Sequence, residues 1–214
     1  MVVAIIADII RSRKLENREG AQRLLDETIA RVEHDRPLAT QALRPTVGDE
    51  QQGVWLRLED ALTSLLMLQL ALPDHIEFRF GVGIGKIRSI DSAHGELTDG
   101  PGWWAARAAI DHVHSQQQRA MPRMRTWIVP APEQDEVMTS TIAASNAYLL
   151  ARDEIVGGMN ARARRLTYGR LTGRSQAELA EQEQITQPSV SKALRSAGSS
   201  ALIAGLEQLR GGAA

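Results

Sequence analysis

Residues 175–195 read SQAELAEQEQITQPSVSKALR. Leu179 and Ala180 fall on the inner face of a short helix, and the small Ala180 lets a second helix cross closely. Ile185 fills the turn between them. Thr186 suits the N-cap of the second helix, where its hydroxyl can accept a free backbone amide. Val190 and Leu194, four residues apart, anchor that helix to a core. Gln184 stands in the turn, where a left-handed backbone costs a residue other than glycine about 1 kcal/mol. The spacing predicts two helices joined by a tight turn. It leaves Gln187, Ser189, Ser191, Lys192 and Arg195 on the outer side of the second helix, as polar groups able to reach base edges and phosphates in a major groove. Thr186 and Ser189 are also placed for phosphate.

The charge distribution agrees with that reading. From residue 157 onward the chain has eight Arg or Lys against four Glu, a local +4, so the remainder carries −5 of an overall −1. Arg162, Arg164, Arg165 and Arg170, just upstream, add candidate phosphate contacts. The pattern Q-x-x-L-A, then I-T-Q-x-x-V-S-K-x-L, resembles the helix-turn-helix of many bacterial repressors. That resemblance implies double-stranded DNA as partner and Thr186, Gln187, Ser189, Ser191, Lys192 and Arg195 as contact residues. It also implies a homodimer reading two half-sites. The alternative for the same pattern is a plain helical hairpin used for packing or oligomerisation.

Upstream, a helix is expected over residues 135–156, ended by Gly157-Gly158, with Met138, Ile142, Tyr148 and Leu149 available for a dimer interface. Before it, the pattern is mixed. Residues 2–10 read as a buried strand, and Ala21, Leu24, Leu25, Thr28, Ile29 and Val32 share one helix face. An extended stretch between Pro37 and Pro45, the turn at residues 47–50 and a strand at 52–56 make a hairpin. A helix over 58–72, a strand over 77–87, a helix opening at Asp99-Gly100-Pro101-Gly102 and a short strand at 126–129 follow. The order βα, hairpin, α, β, α, β predicts an α/β (α+β) palm-like mixed sheet with packed helices. The expected division is a palm domain over 1–134, a connecting helix over 135–156 and an all-α helix-turn-helix domain over 157–214.

Composition narrows the class further. The chain has no cysteine, which removes disulfides and thiolate metal sites. Its longest apolar run, residues 61–72, is broken by Thr63, Ser64 and Gln69 and is too short to span a bilayer. The N-terminus has no basic region and carries Asp8 within its apolar stretch, unlike a signal peptide. A cytoplasmic protein without membrane contact is expected.

Two carboxylates stand out. Asp8 ends the first strand and Asp49 sits at the tip of the hairpin, and in a palm-like sheet these positions meet at one edge. Paired carboxylates there can hold a divalent cation that carries nucleotide phosphates. The backbone amides of Ile9, Ile10, Arg11 and Ser12, at the start of the next helix, are placed to cradle phosphate. The alternative is that Asp8 only caps that helix. Gly81, Gly83 and Gly85 fit neither a dinucleotide fingerprint nor a P-loop; they bare one strand face so that a helix or a ligand can approach. Trp103 is either a core residue or a platform on which a base stacks. His112 and His114 read as helix surface.

The segments IIADIIRSR (5–13), TVGDEQQG (46–53), RFGVGIGKI (79–87) and DGPGWWAARAAI (99–110) together resemble the SatD family. More distantly they resemble class III nucleotide cyclases and GGDEF-type palm domains. The resemblance implies a palm-like fold and Mg²⁺–nucleotide binding through Asp8 and Asp49. Arg44 stands near where cyclases carry a base-reading Lys, and Trp103 stands where they carry a ribose-positioning Asn. Arg107 is retained. Metal carboxylates without the substrate-orienting groups imply binding rather than turnover. The expectation is a transcription regulator with a nucleotide-sensing palm domain; the alternative is a nucleotide cyclase or nucleotidyltransferase that carries a DNA-binding domain.

Overall fold

The computed structural model describes residues 2–12, 17–46, 48–73, 76–92, 95–132 and 136–211, with the backbone alone for 89–92 and 95–97. Val47 of the expected hairpin turn and Asp135 at the expected helix start lie outside the described residues. The first half of the chain runs β1 (Val2–Ile9), α1 (Arg18–Asp35), β2 (Gln41–Pro45), β3 (Gln51–Trp55), α2 (Leu58–Ala71) and β4 (Phe78–Gly85). It continues through β5 (Arg88–Ser92), β6 (Gly95–Asp99), α3 (Pro101–Arg119) and β7 (Thr126–Pro130). Helices α4 (Glu136–Gly157), α5 (Ala161–Leu171), α6 (Gln176–Gln182), α7 (Gln187–Ser196) and α8 (Ser199–Gly211) complete it. The sheet order is β2-β3-β1-β4-β7, with β1 antiparallel to β3 and β4 and β7 parallel to β4. This is the expected mixed sheet. The β5–β6 hairpin was not expected, because its single Ile between polar residues gives no alternating signal.

The strands of the sheet bury both faces. Val3, Ile5, Ala7, Phe80, Val82 and Ile84 point to the side of α1 and α2, while Ala4, Ile6 and Val54 meet Trp103, Ala106 and Ile110 of α3. The glycines of β4 explain how close α3 comes. A Cβ on Gly83 would sit 2.0 Å from the Gly102 carbonyl oxygen, and one on Gly81 would sit 2.2 Å from that of Ala106. The bared strand face therefore receives a helix.

Helix α2 decides how the rest of the chain is arranged. Every residue from Ala61 to Leu70 is buried, and a helix that is apolar all round must be covered all round. The sheet and α1 cover part of it. Met159, Ala163 and Leu171 around α5, and Leu202 and Leu206 of α8, join the same apolar cluster as Leu62, Leu65 and Leu66. Polar ties reinforce the contact: Arg36 donates to the Leu171 carbonyl at 2.9 Å, and the Tyr168 hydroxyl donates to Asp35 at 2.7 Å. The residues on the two sides of residue 157 thus share one apolar cluster. The chain folds as a mixed α/β structure in which α5 and α8 complete the core of the sheet.

Helix α4 joins that cluster as well. Ile142 and Leu149 are buried in that cluster, and the Tyr148 hydroxyl donates to the Leu202 carbonyl at 2.9 Å. Ile142 and Leu149 are thus taken up by the chain's own core, whereas Met138 and Tyr148 stay half-buried. The inner face of α4 also carries Asp153, whose carboxylate accepts from the Arg125 and Thr126 amides at 2.6 and 2.8 Å and so fixes the start of β7. Burial raises the Tyr148 hydroxyl to about 12. Among the described residues, no helix is long and apolar enough to cross a membrane.

Candidate functional site

Asp8 and Asp49 do meet. They line one cleft of about 720 Å³ together with Ile9, Ile10, Arg11, Ser12, Glu77, Arg79, His114, Gln117 and Arg125, a size usual for small-ligand sites. Three pieces of local structure bring them there. Strand β1 ends at Ile9; the β2–β3 turn is closed by the Thr46 amide on the Glu50 carbonyl at 2.9 Å, with Gly48 at φ +71°; and the C-terminal half of α3 brings up His114 and Gln117. Arg79 stands directly opposite Asp8 in the β1–β4 register and donates through Nε to Asp8 Oδ1 at 2.5 Å. Asp8 therefore pairs with a guanidinium and does not cap a helix.

The charges in the cleft are coupled. Burial pushes the Asp8 carboxyl above its ordinary value, Arg79 pulls it down, and the nearby Asp49 pushes it up again. Arg125 donates to Glu77 at 2.8 Å and, through Nη1, to the carbonyls of Pro122 and Met124 at 2.7 and 3.0 Å. Among the described residues no three His, Cys, Asp or Glu side chains cluster to cage a metal. With Glu77 paired to Arg125, Asp8 and Asp49 are the carboxylates that could hold a Mg²⁺ ion, which would keep several waters.

Three of the expected nucleotide residues lie elsewhere. Trp103 is 8% exposed and packs with Ala4, Ile6 and Ala106. It stands eleven positions before His114 on α3, about 16 Å along the helix at 1.5 Å per residue. It is a core residue and offers no stacking face. Arg107 donates to both Glu50 carboxylate oxygens, at 2.6 and 2.8 Å, outside the cleft lining. Arg44 is exposed on β2. The amides of Ile9, Ile10, Arg11 and Ser12 do not stand at the start of α1. Arg11 adopts φ +59°, the Ile10 amide donates to the Glu77 carbonyl at 2.8 Å, and α1 begins at Arg18 with Asn17 as its cap. Sequence reasoning missed Arg79, Arg125 and Gln117. The alternating apolar residues of β4 put Arg79 on the opposite strand face to Phe78 and Phe80, but only the β1–β4 register pairs it with Asp8.

In the C-terminal part, α6 and α7 are joined by a turn in which Gln184 takes φ +53°. Val190 and Leu194 pack on Leu166, Leu179 and Ala180, with Ile185 against them. The Thr186 side chain caps α7, accepting from the Ser189 amide at 3.4 Å, and its hydroxyl lies 2.8 Å from that of Ser189. Gln187, Ser189, Lys192 and Arg195 are exposed and Ser191 is half-buried. Ser175 and Glu178 form a reciprocal cap on α6, with bonds of 3.2 and 2.7 Å; the S-x-x-E spacing is the legible signal for it. Of the upstream arginines, Arg165 grips Glu183 with two bonds of 2.7 Å and Arg162 approaches it at 3.5 Å. Both hold the Glu183 carboxyl below its ordinary value, Arg165 more strongly. Arg170 donates to the Arg174 carbonyl, and Arg164 lines pockets beside α2.

Solved structures similar to part of the chain include a bacterial light-regulated adenylyl cyclase, at 12% identity and TM-score 0.40, over 55% of this chain and 40% of that one. The guanylyl cyclase Cya2 matches at 13% identity and TM-score 0.40, over 58% of this chain and 80% of that one. The adenylyl cyclase CyaB from P. aeruginosa matches at 15% identity and TM-score 0.34, over 50% and 68%. The chain thus spans less than half of the light-regulated cyclase, and likeness of this degree bears on no activity. No curated protein matches the sequence. The SatD family, by contrast, matches residues 2–204, nearly the whole length, and the chain belongs to that family.

Proposed function

We propose that this SatD-family protein is a DNA-binding transcription regulator whose α/β part binds a nucleotide with Mg²⁺. The observation that carries the DNA half is the exposed polar face of α7: Gln187, Ser189, Lys192 and Arg195 stand clear of a helix fixed from behind by Val190 and Leu194. A short helix held in this way behind a tight turn is suited to a major groove. The test is selection from a random duplex pool with full-length protein, followed by titration of the selected sequence. Replacing Gln187, Ser189 and Lys192 together by Ala is expected to abolish sequence preference. Unchanged preference in the triple variant overturns the assignment.

The nucleotide half rests on Asp8 and Asp49 lining one cleft. Thermal shift across a nucleotide panel is expected to show stabilisation that needs Mg²⁺, removed by Asp8→Asn and Asp49→Asn with the fold retained. The same two carboxylates also support the second reading, a nucleotide cyclase or nucleotidyltransferase. Against it stands the burial of Trp103, which leaves no side chain at that position to orient a ribose; without such positioning, about 7–11 kcal/mol of barrier lowering is forgone. Conversion of ATP or GTP to a cyclic product at several turnovers per second would replace the sensor reading. Two-half-site recognition also calls for a homodimer, through a surface other than the buried face of α4. Light scattering with and without DNA tests it, and a monomer under both conditions counts against it.

A further inference from the structure

A groove of about 480 Å³ lies between the corner where β3 leads into α2, the start of α4 and the end of α8, and it shares no lining residue with the cleft. Leu56 and Leu58 line it from the corner, Val137 and Met138 from α4, and Leu209 from α8. Among the described residues three large apolar side chains are exposed, and two of them, Leu56 at 67% and Val137 at 75%, stand in this groove. Side chains so open to water contribute little to the chain's own core. Apolar surface gathered in one place marks a site of interaction.

The charges at its rim identify the occupant. Arg57 follows Leu56 and Glu136 precedes Val137, so an exposed cation borders the groove on the α2 side and an exposed anion on the α4 side. Arg57 already meets Glu59 through Nε and Nη2, but a guanidinium has five N–H groups, enough for a second carboxylate. In a two-fold interface one patch meets its own copy, so that residue i contacts residue j and j contacts i. A patch with an apolar floor, a cation on one side and an anion on the other is complementary to itself. Helix α8 supplies a scale. Leu209 lies in the groove, and Ser199, just after α7, stands ten positions earlier, about 15 Å along the helix. Two such lengths, one in each copy, approach the separation of about 34–36 Å between half-sites one turn apart on DNA. We propose that this groove is the homodimer interface: it seats a second copy of the chain across a two-fold axis, with Leu56 on the partner's Val137 and Arg57 on the partner's Glu136. The inference rests on the homodimer part of the DNA-binding reading and names the surface that forms it.

The test is sedimentation of the full-length protein over a range of concentrations. Wild-type protein is expected to dimerise, and Val137→Asp to raise the dissociation constant about a hundredfold with the circular dichroism spectrum unchanged, since the side chain it replaces is exposed. Arg57→Glu and Glu136→Arg each bring like charges together at both ends of the interface, and each is expected to weaken the dimer about tenfold. Mixed one to one, these two variants restore opposite charges at both ends, and a heterodimer as tight as the wild-type dimer is expected. Rescue on mixing is what a structural role for either residue cannot give. Dissociation by Val137→Asp without rescue on mixing overturns the two-fold pairing. A dimer that neither Val137→Asp nor mixing affects overturns this face and leaves the homodimer reading standing. A wild-type monomer with and without the selected duplex sinks both. A monomer that takes up an apolar dye one to one, and loses it in Val137→Asp, assigns the groove to a small ligand and overturns the proposal.

Discussion

The cleft and the α6–α7 hairpin present charge in opposite ways. In the cleft, Asp8 is matched by Arg79 and Glu77 by Arg125, and the groups come from β1, the strand-connecting turns, β4 and α3. On α7, a single helix supplies the exposed Gln187, Ser189, Lys192 and Arg195. The first arrangement exists only when the tertiary fold exists, because its ion pairs join separate strands and turns. The second needs little more than one helix held against Leu166 and Leu179, and a ligand meets side chains already facing outward. The difference teaches where each region keeps its charge: the cleft commits it to internal ion pairs between separate elements, and α7 leaves it on one outward face.

The comparison can be broken most severely by cutting the chain. A protein ending at residue 157 loses the cover that Leu171, Leu202 and Leu206 give to α2. Since burying each such side chain is worth about 1.5–3 kcal/mol, the truncated protein is expected not to fold. A cooperative thermal transition in residues 1–157 would falsify the shared core and make the two regions independent.

Next in size is Leu194→Ala, which empties a buried position behind α7. A loss of about 2–5 kcal/mol is expected, read as a lowered denaturation midpoint, with DNA affinity reduced and the cleft's nucleotide affinity unchanged below the midpoint. Equal loss of both affinities would show that the regions are coupled in function as well as in packing.

Smaller effects sharpen the account of α7. Gln187→Ala or Ser189→Ala should each cost about 1–3 kcal/mol at the preferred sequence and little elsewhere. Lys192→Ala should weaken all sequences evenly and flatten the dependence on salt. A uniform effect of Gln187→Ala across sequences would move it from the bases to the backbone.

The smallest expected effect is at Glu183. Its carboxyl is held below its ordinary value by Arg165 and then Arg162, so the pairing stabilises the folded state above the unfolded carboxylate value near 4.5 and is lost as pH falls through the folded one. With Arg165 half exposed, Glu183→Gln is expected to cost less than about 1 kcal/mol at neutral pH and almost nothing in acid. A cost that stays constant with pH removes the ion pair as its cause.

The hairpin was legible because its information is local. Val190 and Leu194 at four-residue spacing, Thr186 as cap and Gln184 in the turn are read within twenty-one residues, and each stands where expected. The run of strands and helices along the chain, and the placing of Asp8 and Asp49 on one cleft, were legible for a related reason, since that run limits which strand ends adjoin; the order of strands within the sheet was not read. Arg79 was not, because its pairing depends on the β1–β4 register. Trp103 was left open as core or stacking platform because an aromatic next to a second aromatic on a helix gives no sign of which one turns inward; Trp104, its neighbour, is the exposed one, bonded to Asp99 at 3.0 Å. Gly157-Gly158 ends a helix, as expected, while the apolar cluster runs on past it through Met159, Ala163 and Leu171, a continuity that local punctuation does not encode.

That shared core has a consequence for how such a protein can change over generations. A helix-turn-helix joined by a free linker is a cassette, exchanged between proteins by a single recombination at the joint. Here the joint lies inside the packing around α2, so a crossover near residue 158 would leave both products with an uncovered leucine face. Change that keeps the fold must come by substitution on exposed surfaces such as that of α7 or in the cleft wall, one residue at a time, with the two halves inherited together.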